Sequence, residues 1–392
     1  ASPSFIPLGL LLSGMLVGAI FKTIRLAVVI AILWVALVSI YGLLYFGFQY
    51  GNENLLDKGL RLIVLLTFFL SPFMLNLNKK VVQIGSTMAL LALFIGLIWV
   101  DVLGNSMFLH STPNENMRPR SFTLESSHFA MTLIALLTLS LSTLDNRYLK
   151  LLLFMLGLGA LLYSGSKGGV AILVVSLAIL IGFHVFRLVS VNAKFKIKRI
   201  PAALIGIAAI SIGLMFLFGR VVDGLLLDMD YYTSTATRVT LVLSSLYVFY
   251  QHPLGVGTTG YLPALIQGIS SSIETLSTQF ATSLNFSEVE GYVGAESDKY
   301  ISTKTFFFDG LIWFGLPFVF LYLLFSFWLL VGLFKKGDVI LFIGTSALLI
   351  GLATFSGGLG LYAVTFALSW ARTQVCGLKT TPFAVHERRM AG

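Results

Sequence analysis

The chain has 392 residues, 57% apolar and 11% charged, with a mean hydropathy of +0.92. An ordinary globular domain has roughly 45–50% apolar and about 25% charged residues, so a soluble fold is excluded. The net charge of +9 could point to nucleic acid or an anionic surface, and only its distribution along the chain decides between them. One cysteine, Cys376, rules out an internal disulfide.

Apolar runs of about 17–25 residues, each long enough to cross a hydrocarbon core of roughly 30 Å, recur from end to end. They are continuous and lack the alternation of barrel strands. The expected fold is therefore an all-α polytopic transmembrane helical bundle of about 11–12 spans, a single integral membrane domain over 1–392. The spans read as 5–21, 26–48, 62–77, 81–103, 126–144, 148–164, 168–188, 201–219, 306–333, 339–355 and 358–370. Phe5–Phe21 has neither a basic leader nor a small-residue cleavage signal, so it reads as a span and not a signal peptide. The last segment follows Ser356-Gly357-Gly358 and reads as a half-helix or re-entrant segment. Two connections are long, a first at 104–125 and a larger one at 220–305. Loops of that length in a compact protein are usually functional or disordered.

Cytoplasmic loops carry an excess of Lys and Arg. With Asn192–Arg199 placed inside, alternation puts 17 of the 26 Lys and Arg on the cytoplasmic side but only three of the 17 acids, Asp145, Asp338 and Glu387. The net charge is thus an orientation signal and not a nucleic-acid footprint. An odd span count leaves the N-terminus outside, which is explained by a further span ahead of Ala1 or by a miscount. Nine basic residues stand against the bias: Lys58, Arg61, Arg118, Arg120, Lys167, Arg220, Arg238, Lys299 and Lys304. Cations retained at that surface need anionic ligands or structural carboxylates as partners.

Arg118-Pro119-Arg120-Ser121-Phe122-Thr123-Leu124-Glu125 runs into a span that begins with Ser126 and carries His128 one turn in. Two guanidinium forks beside a helix start suit a phosphate. Helix capping by Glu125, headgroup pairing by the arginines and packing by His128 are the ordinary alternatives. Ser164-Gly165-Ser166-Lys167-Gly168-Gly169 has no Walker spacing and is read as a tight turn, with Lys167 either facing a polar cavity or snorkelling. In the large loop, Arg238 precedes Val239–Tyr250, whose apolar spacing predicts an amphipathic helix lying on the outer surface. Gln251-His252-Pro253-Leu254-Gly255-Val256-Gly257 ends that helix, and 258–300, rich in Ser, Thr and Gly, reads as a polar external cap. At the next entry Lys304 is followed by Asp309, its expected neighbour one turn on, and by Gly315 and Pro317. No metal-ligand spacing and no Ser-His-Asp set is apparent.

In their order, these segments resemble the O-antigen polymerase/O-antigen ligase superfamily (Wzy and WaaL types). Arg118 to Glu125 resembles its Arg-x-x-Gly-x-Phe-x-Glu/Asn segment, with Ser121 for Gly. Ser164 to Gly169 resembles its Ser-Arg-Gly turn, with Lys167 for Arg. Arg238 through Pro253-Leu254-Gly255-Val256-Gly257 resembles its Arg, amphipathic helix and Pro-Leu-Gly-x-Gly block. Ligases of this superfamily have His where Lys304 stands, so the likeness is closer to the Wzy polymerase. The resemblance covers about residues 110–335.

It implies a GT-C-like architecture and a glycosyltransferase of the bacterial inner membrane, acting in lipopolysaccharide or polysaccharide biosynthesis by inverting, metal-independent transfer without a cofactor on the periplasmic face, where 104–125 and 220–305 would be periplasmic loops. Its partners would be undecaprenyl-diphosphate-linked glycans as donor and acceptor and the membrane lipids, with a chain-length regulator as an open option and no nucleic acid. A diphosphate leaving group without a metal needs cations, assigned to Arg118, Arg120, Lys167, Arg238 and Lys304. A carboxylate must orient or deprotonate the acceptor hydroxyl. Glu125 is the first candidate and Asp309 the second. A ligase acting on lipid A core and a polysaccharide or solute transporter are the rival readings; spans free of mid-span charge and without repeated halves speak against the transporter.

Overall fold

Residues 26–51, 53–74, 77–102, 121, 126–191, 233–280, 285–293, 302–354 and 362–377 are described in a computed structural model of the protein. Long runs of Leu, Ile, Val, Phe and Ala must satisfy their own amides away from water, and a helix does so within one segment. In chain order come α1 (Leu26–Phe46), the two-residue strands β1 (Gln49–Tyr50) and β2 (Glu53–Asn54), and α2 (Leu55–Leu70), which runs into a 3₁₀ turn at Ser71–Met74. Then follow α3 (Lys79–Gly96), α4 (Ser126–Thr143), α5 (Arg147–Tyr163) and α6 (Lys167–Val191). The remainder is α7 (Thr233–Gln251), α8 (Gly257–Phe280), α9 (Ser287–Val293), α10 (Phe306–Lys336), α11 (Val339–Thr354) and α12 (Tyr362–Cys376). β1 and β2 form an antiparallel hairpin pairing Gln49 with Asn54 and Tyr50 with Glu53.

The chain is a helical membrane protein. Among the described residues, three helices are long and apolar enough to cross a membrane: Lys79–Trp99, Lys167–His184 and Phe306–Lys336. On α10, Leu316, Phe320, Leu323 and Phe327 recur at helical spacing and are 56–64% exposed. A row of that size is tolerated in lipid and not in water.

Several expected boundaries change. The span read as 62–77 begins at Leu55, so Lys58 and Arg61 lie inside α2, and the segment read as a half-helix over 358–370 is a helix to Cys376 that includes Arg372. The polar cap expected over 258–300 is corrected most. Its first part is α8, with Tyr261, Leu265, Ile269 and Leu276 buried along one face. Its hydroxyls hid this helix from a composition reading, because Ser270 and Thr275 donate to the carbonyls of Ile266 and Ser271 one turn back and need no water. The helix expected at Val239–Tyr250 starts at Thr233 and ends at Gln251, ahead of Pro253. The expected spans 5–21 and 201–219 lie outside the described residues.

The chain divides into two compact units. In the first (1–71, 177–326 and 349–360), α8 packs on α1, α2 and α7. Close approach sets this packing: a Cβ on Gly257, which has φ +71°, would collide with the backbone of Val38 and Ser39. A Cβ on Gly42 would collide with the Val256 carbonyl. Hydroxyls close the same seam. Thr259 Oγ1 donates to the Ser39 carbonyl at 2.5 Å, and Ser39 Oγ lies 3.2 Å from Thr258 Oγ1. Small residues and hydroxyl bonds of this kind hold helices together where lipid offers no hydrophobic drive.

The second unit (72–176, 327–348 and 361–392) has α4 at its centre, against α3, α5 and α12. Leu90, Leu93, Phe129, Leu133, Leu153 and Leu161 form its buried core. Polar pins cross it: Ser140 Oγ to Ser86 Oγ at 3.1 Å, Trp370 Nε1 to Ser142 Oγ at 3.1 Å, and Ser369 Oγ to the Pro72 carbonyl at 2.7 Å. At one end Lys79 Nζ meets Asp145 at 2.7 Å.

Candidate functional site

A polar cluster in the first unit is centred on Glu288. Asn285 opens α9 by accepting the Ser287 amide at 3.0 Å, and Val289, fully buried, seats the short helix against α7 and α8. Glu288 then faces three donors. Its Oε1 accepts from Lys304 Nζ at 2.6 Å and from Tyr292 Oη at 2.9 Å, and its Oε2 accepts from Thr237 Oγ1 at 2.9 Å. Tyr292 is one turn on along α9, and Thr237 is buried in α7 with Arg238 next in sequence. Both members of the ion pair keep 29% side-chain exposure. Burial pushes the Glu288 carboxyl up, but the Lys304 ammonium and the Tyr292 and Thr237 hydroxyls together hold it below its ordinary value.

Lys304 stands on a turn that a buried carboxylate builds. Asp309, 2% exposed in the first turn of α10, accepts three bonds on Oδ1. Tyr261 Oη donates at 2.5 Å, the Thr303 amide at 2.9 Å and the Thr303 hydroxyl at 2.7 Å. Thr305 caps α10 through the Phe308 amide at 3.3 Å. Pinned at Thr303 and Thr305, the backbone between them passes through φ +60° at Lys304, a region a long side chain adopts at a cost of about 1 kcal/mol or more. Lys304 therefore points to Glu288; the neighbour expected for it, Asp309, is occupied with Tyr261 and Thr303.

The Pro253-Leu254-Gly255-Val256-Gly257 and Gly315-Leu316-Pro317 segments, far apart in sequence, meet. At Gly315 (φ 61°, ψ −145°) α10 kinks, as is usual where Pro and Gly interrupt a helix. The Leu316 amide donates to the Pro253 carbonyl at 2.8 Å, and the Val256 amide to the Ile312 carbonyl at 2.9 Å. The turn thus supplies the bonding that the broken helix lacks. Beside it, Tyr41 Oη is 3.2 Å from His252 Nδ1.

Of the expected site residues, Lys304, Asp309 and Arg238 belong to this unit. Arg238 is half-buried in α7. Lys167 belongs to the other unit. It is exposed at the start of α6, and the turn before it is a cap in which Ser166 Oγ accepts the Gly169 amide at 3.3 Å. Arg118, Arg120 and Glu125 lie outside the described residues, as do Arg220 and Lys299. Two other cations retained against the bias have local partners: Lys58 pairs with Glu53 at 3.2 Å and Arg61 with Asp57 at 2.7 Å. Glu288 itself escaped the sequence reading. Its signals were Asn285 as a cap and a Glu-Tyr pair at helical spacing, inside a stretch read as a polar external cap. Among the described residues, no three His, Cys, Asp or Glu side chains gather where a metal ion could be held.

The chain matches no protein-family model. It is similar to a Klebsiella pneumoniae protein described as an uncharacterized 49.5 kDa protein in cps region, with 27% identity over 333 residues, 81% of this chain and 73% of that protein.

Proposed function

We propose that this protein is a polysaccharide polymerase of the bacterial inner membrane, with a GT-C-like fold, joining undecaprenyl-diphosphate-linked repeat units on the periplasmic face. The observation that carries the reading is Lys304, a cation fixed on a buried support where a long apolar helix begins, with the Arg238-bearing α7 contributing to the same cluster. The relative in a cps (capsule polysaccharide) region supports it, as does the resemblance of the surrounding segments to O-antigen polymerases.

In the proposed reaction an acceptor hydroxyl oxygen attacks the anomeric carbon of the donor glycan from the face opposite its diphosphate. The new C–O bond forms as the anomeric carbon–phosphate oxygen bond breaks, so configuration inverts. The hydroxyl proton passes to a carboxylate, for which Glu125 is the candidate, and the lipid diphosphate leaves with the bonding electron pair. Charge develops on that diphosphate, and Lys304 and Arg238 stabilise it. Arg118, Arg120 and Lys167 are assigned to the diphosphate on resemblance alone. Asp309 acts through Lys304 as a positioning residue, since its bonded oxygen is turned into the fold.

The test is a purified-protein reaction with lipid-linked repeat units. Ladders of increasing length are expected without added divalent metal, and Arg238→Ala and Lys304→Ala should abolish them while membrane insertion is retained. Lys304 in place of the ligase His favours polymerisation. Product found only on lipid A core would convert the reading to a ligase, and no product on either acceptor would end it.

A further inference from the structure

We infer that Thr237, Tyr292 and Lys304 form a binding site for a phosphate ester and that Glu288 is its resident counter-ion, released from Lys304 when the ligand arrives. The inference rests on the reading of Lys304 as a cation for a diphosphate-linked donor and adds how that cation is kept until the donor binds. An ammonium and two hydroxyls converge on two carboxylate oxygens. An ionised carboxylate and a phosphate are both acceptor-only oxygen clusters, so the same donors satisfy either.

The two sides of the ion pair are anchored very differently. Lys304 is held from below by Asp309, Tyr261 and Thr303, and Thr237 is buried within a 19-residue helix. Glu288 and Tyr292 share a seven-residue helix with one buried side chain, Val289, and the carboxylate leaves by turning about its own side-chain bonds, so that the Tyr292 hydroxyl remains. When the carboxylate swings away, the cation stays where it was. A partly exposed ion pair is weakened by solvent screening, and a diphosphate brings more charge and more acceptor oxygens to the same donors. The carboxylate also suits poorly the role of general base: its oxygens are already bonded, and the donors around it outweigh burial and hold its carboxyl below the ordinary value.

The consequence is a gain of binding where a structural or catalytic role would give a loss. Full-length protein in phosphatidylcholine nanodiscs is titrated with inorganic pyrophosphate by calorimetry at fixed ionic strength. Glu288→Gln, which preserves shape, and Glu288→Ala should each tighten binding about fivefold or more, because the competent state is no longer taxed by the internal anion. Lys304→Gln should abolish binding in both backgrounds. In the wild type, the ¹³C-methyl-lysine NMR signal that is missing in Lys304→Arg should shift on adding pyrophosphate. Unchanged or weaker affinity in the Glu288 variants, or an unmoved Lys304 signal, overturns the inference. Phosphatidylglycerol in the nanodisc should leave the ratio of variant to wild-type affinity unchanged; if it erases the ratio, the site belongs to bulk headgroups and the inference fails. Ladders from the wild type with no tightening in the variants overturn this inference alone. Tightening without ladders overturns the polymerase reading alone.

Discussion

Replacing Asp309 with Ala should destabilise the protein by about 2 kcal/mol, within the roughly 1–3 kcal/mol that a buried donor left without a partner costs. Asp309 Oδ1 takes the Tyr261 hydroxyl, the Thr303 amide and the Thr303 hydroxyl. After truncation the Thr303 hydroxyl still reaches the Thr305 carbonyl at 2.9 Å and the Thr303 amide still reaches Tyr261 Oη at 3.2 Å, which leaves one stranded donor, the Tyr261 hydroxyl. Asp309→Asn keeps an acceptor oxygen in place and should cost about 1 kcal/mol, the difference between a charged and a neutral acceptor. Unfolding of the purified protein in mixed detergent and SDS, followed by tryptophan fluorescence, measures both. Tyr261→Phe completes a double-mutant cycle, and because the two side chains share one hydrogen bond their effects should fall short of additivity by about 1 kcal/mol. If Asp309→Ala stays within about 0.5 kcal/mol of wild type, or if the two substitutions add, the carboxylate does not hold this turn and the account of Lys304 loses its support.

Lys304→Gly separates structure from function: glycine relieves the left-handed backbone while the half-exposed pair is lost, so stability should change by less than about 1 kcal/mol as ladders disappear; a large loss of stability would mean that the pair is structural. Gly315→Ala places a Cβ against the Pro253 carbonyl and the backbone of Leu254 and Gly255 in a conformation reserved for glycine, and should cost about 3 kcal/mol or more; a wild-type melting temperature would refute the close approach. Glu288 has its carboxyl held below the ordinary 4.5, so its stabilising contribution is complete above that value and is lost as pH falls through the depressed one. Stability curves of wild type and Glu288→Gln should therefore differ above pH 4.5 and converge on further acidification, and parallel curves would show that the ion pair contributes nothing.

The helices were legible where apolar runs are long, because a membrane demands continuous hydrophobicity and composition alone reports it. Leu26–Phe46, Ser126–Thr143 and Phe306–Lys336 lie close to their expected bounds. Legibility failed in α8, whose buried face of Tyr261, Leu265, Ile269 and Leu276 is interleaved with Ser and Thr that bond back along the helix. Reading that stretch as a surface cap also concealed Glu288, since one acid among several in a polar stretch is not singled out until α7, α9 and the approach to α10 are folded together. The meeting of Pro253 with Gly315 was visible only as two turn signals; nothing in the local sequence says that one completes the backbone bonding of the other.

That junction also bears on how the protein is made. The Leu316 amide, freed from its own helix by the break at Gly315, is satisfied by a carbonyl synthesised much earlier, that of Pro253. Until the earlier turn is in place, the emerging helix would carry an unmatched backbone group into hydrocarbon, at a cost of several kcal/mol. An ordered biogenesis is the expected consequence, with α7 and its turn acting as a template on which the first half of α10 is received. A substitution that disturbs Pro253 or Gly255 would first be felt in the cell as a nascent chain retained by the insertion machinery or cleared by membrane proteases, before any folded protein exists to be impaired.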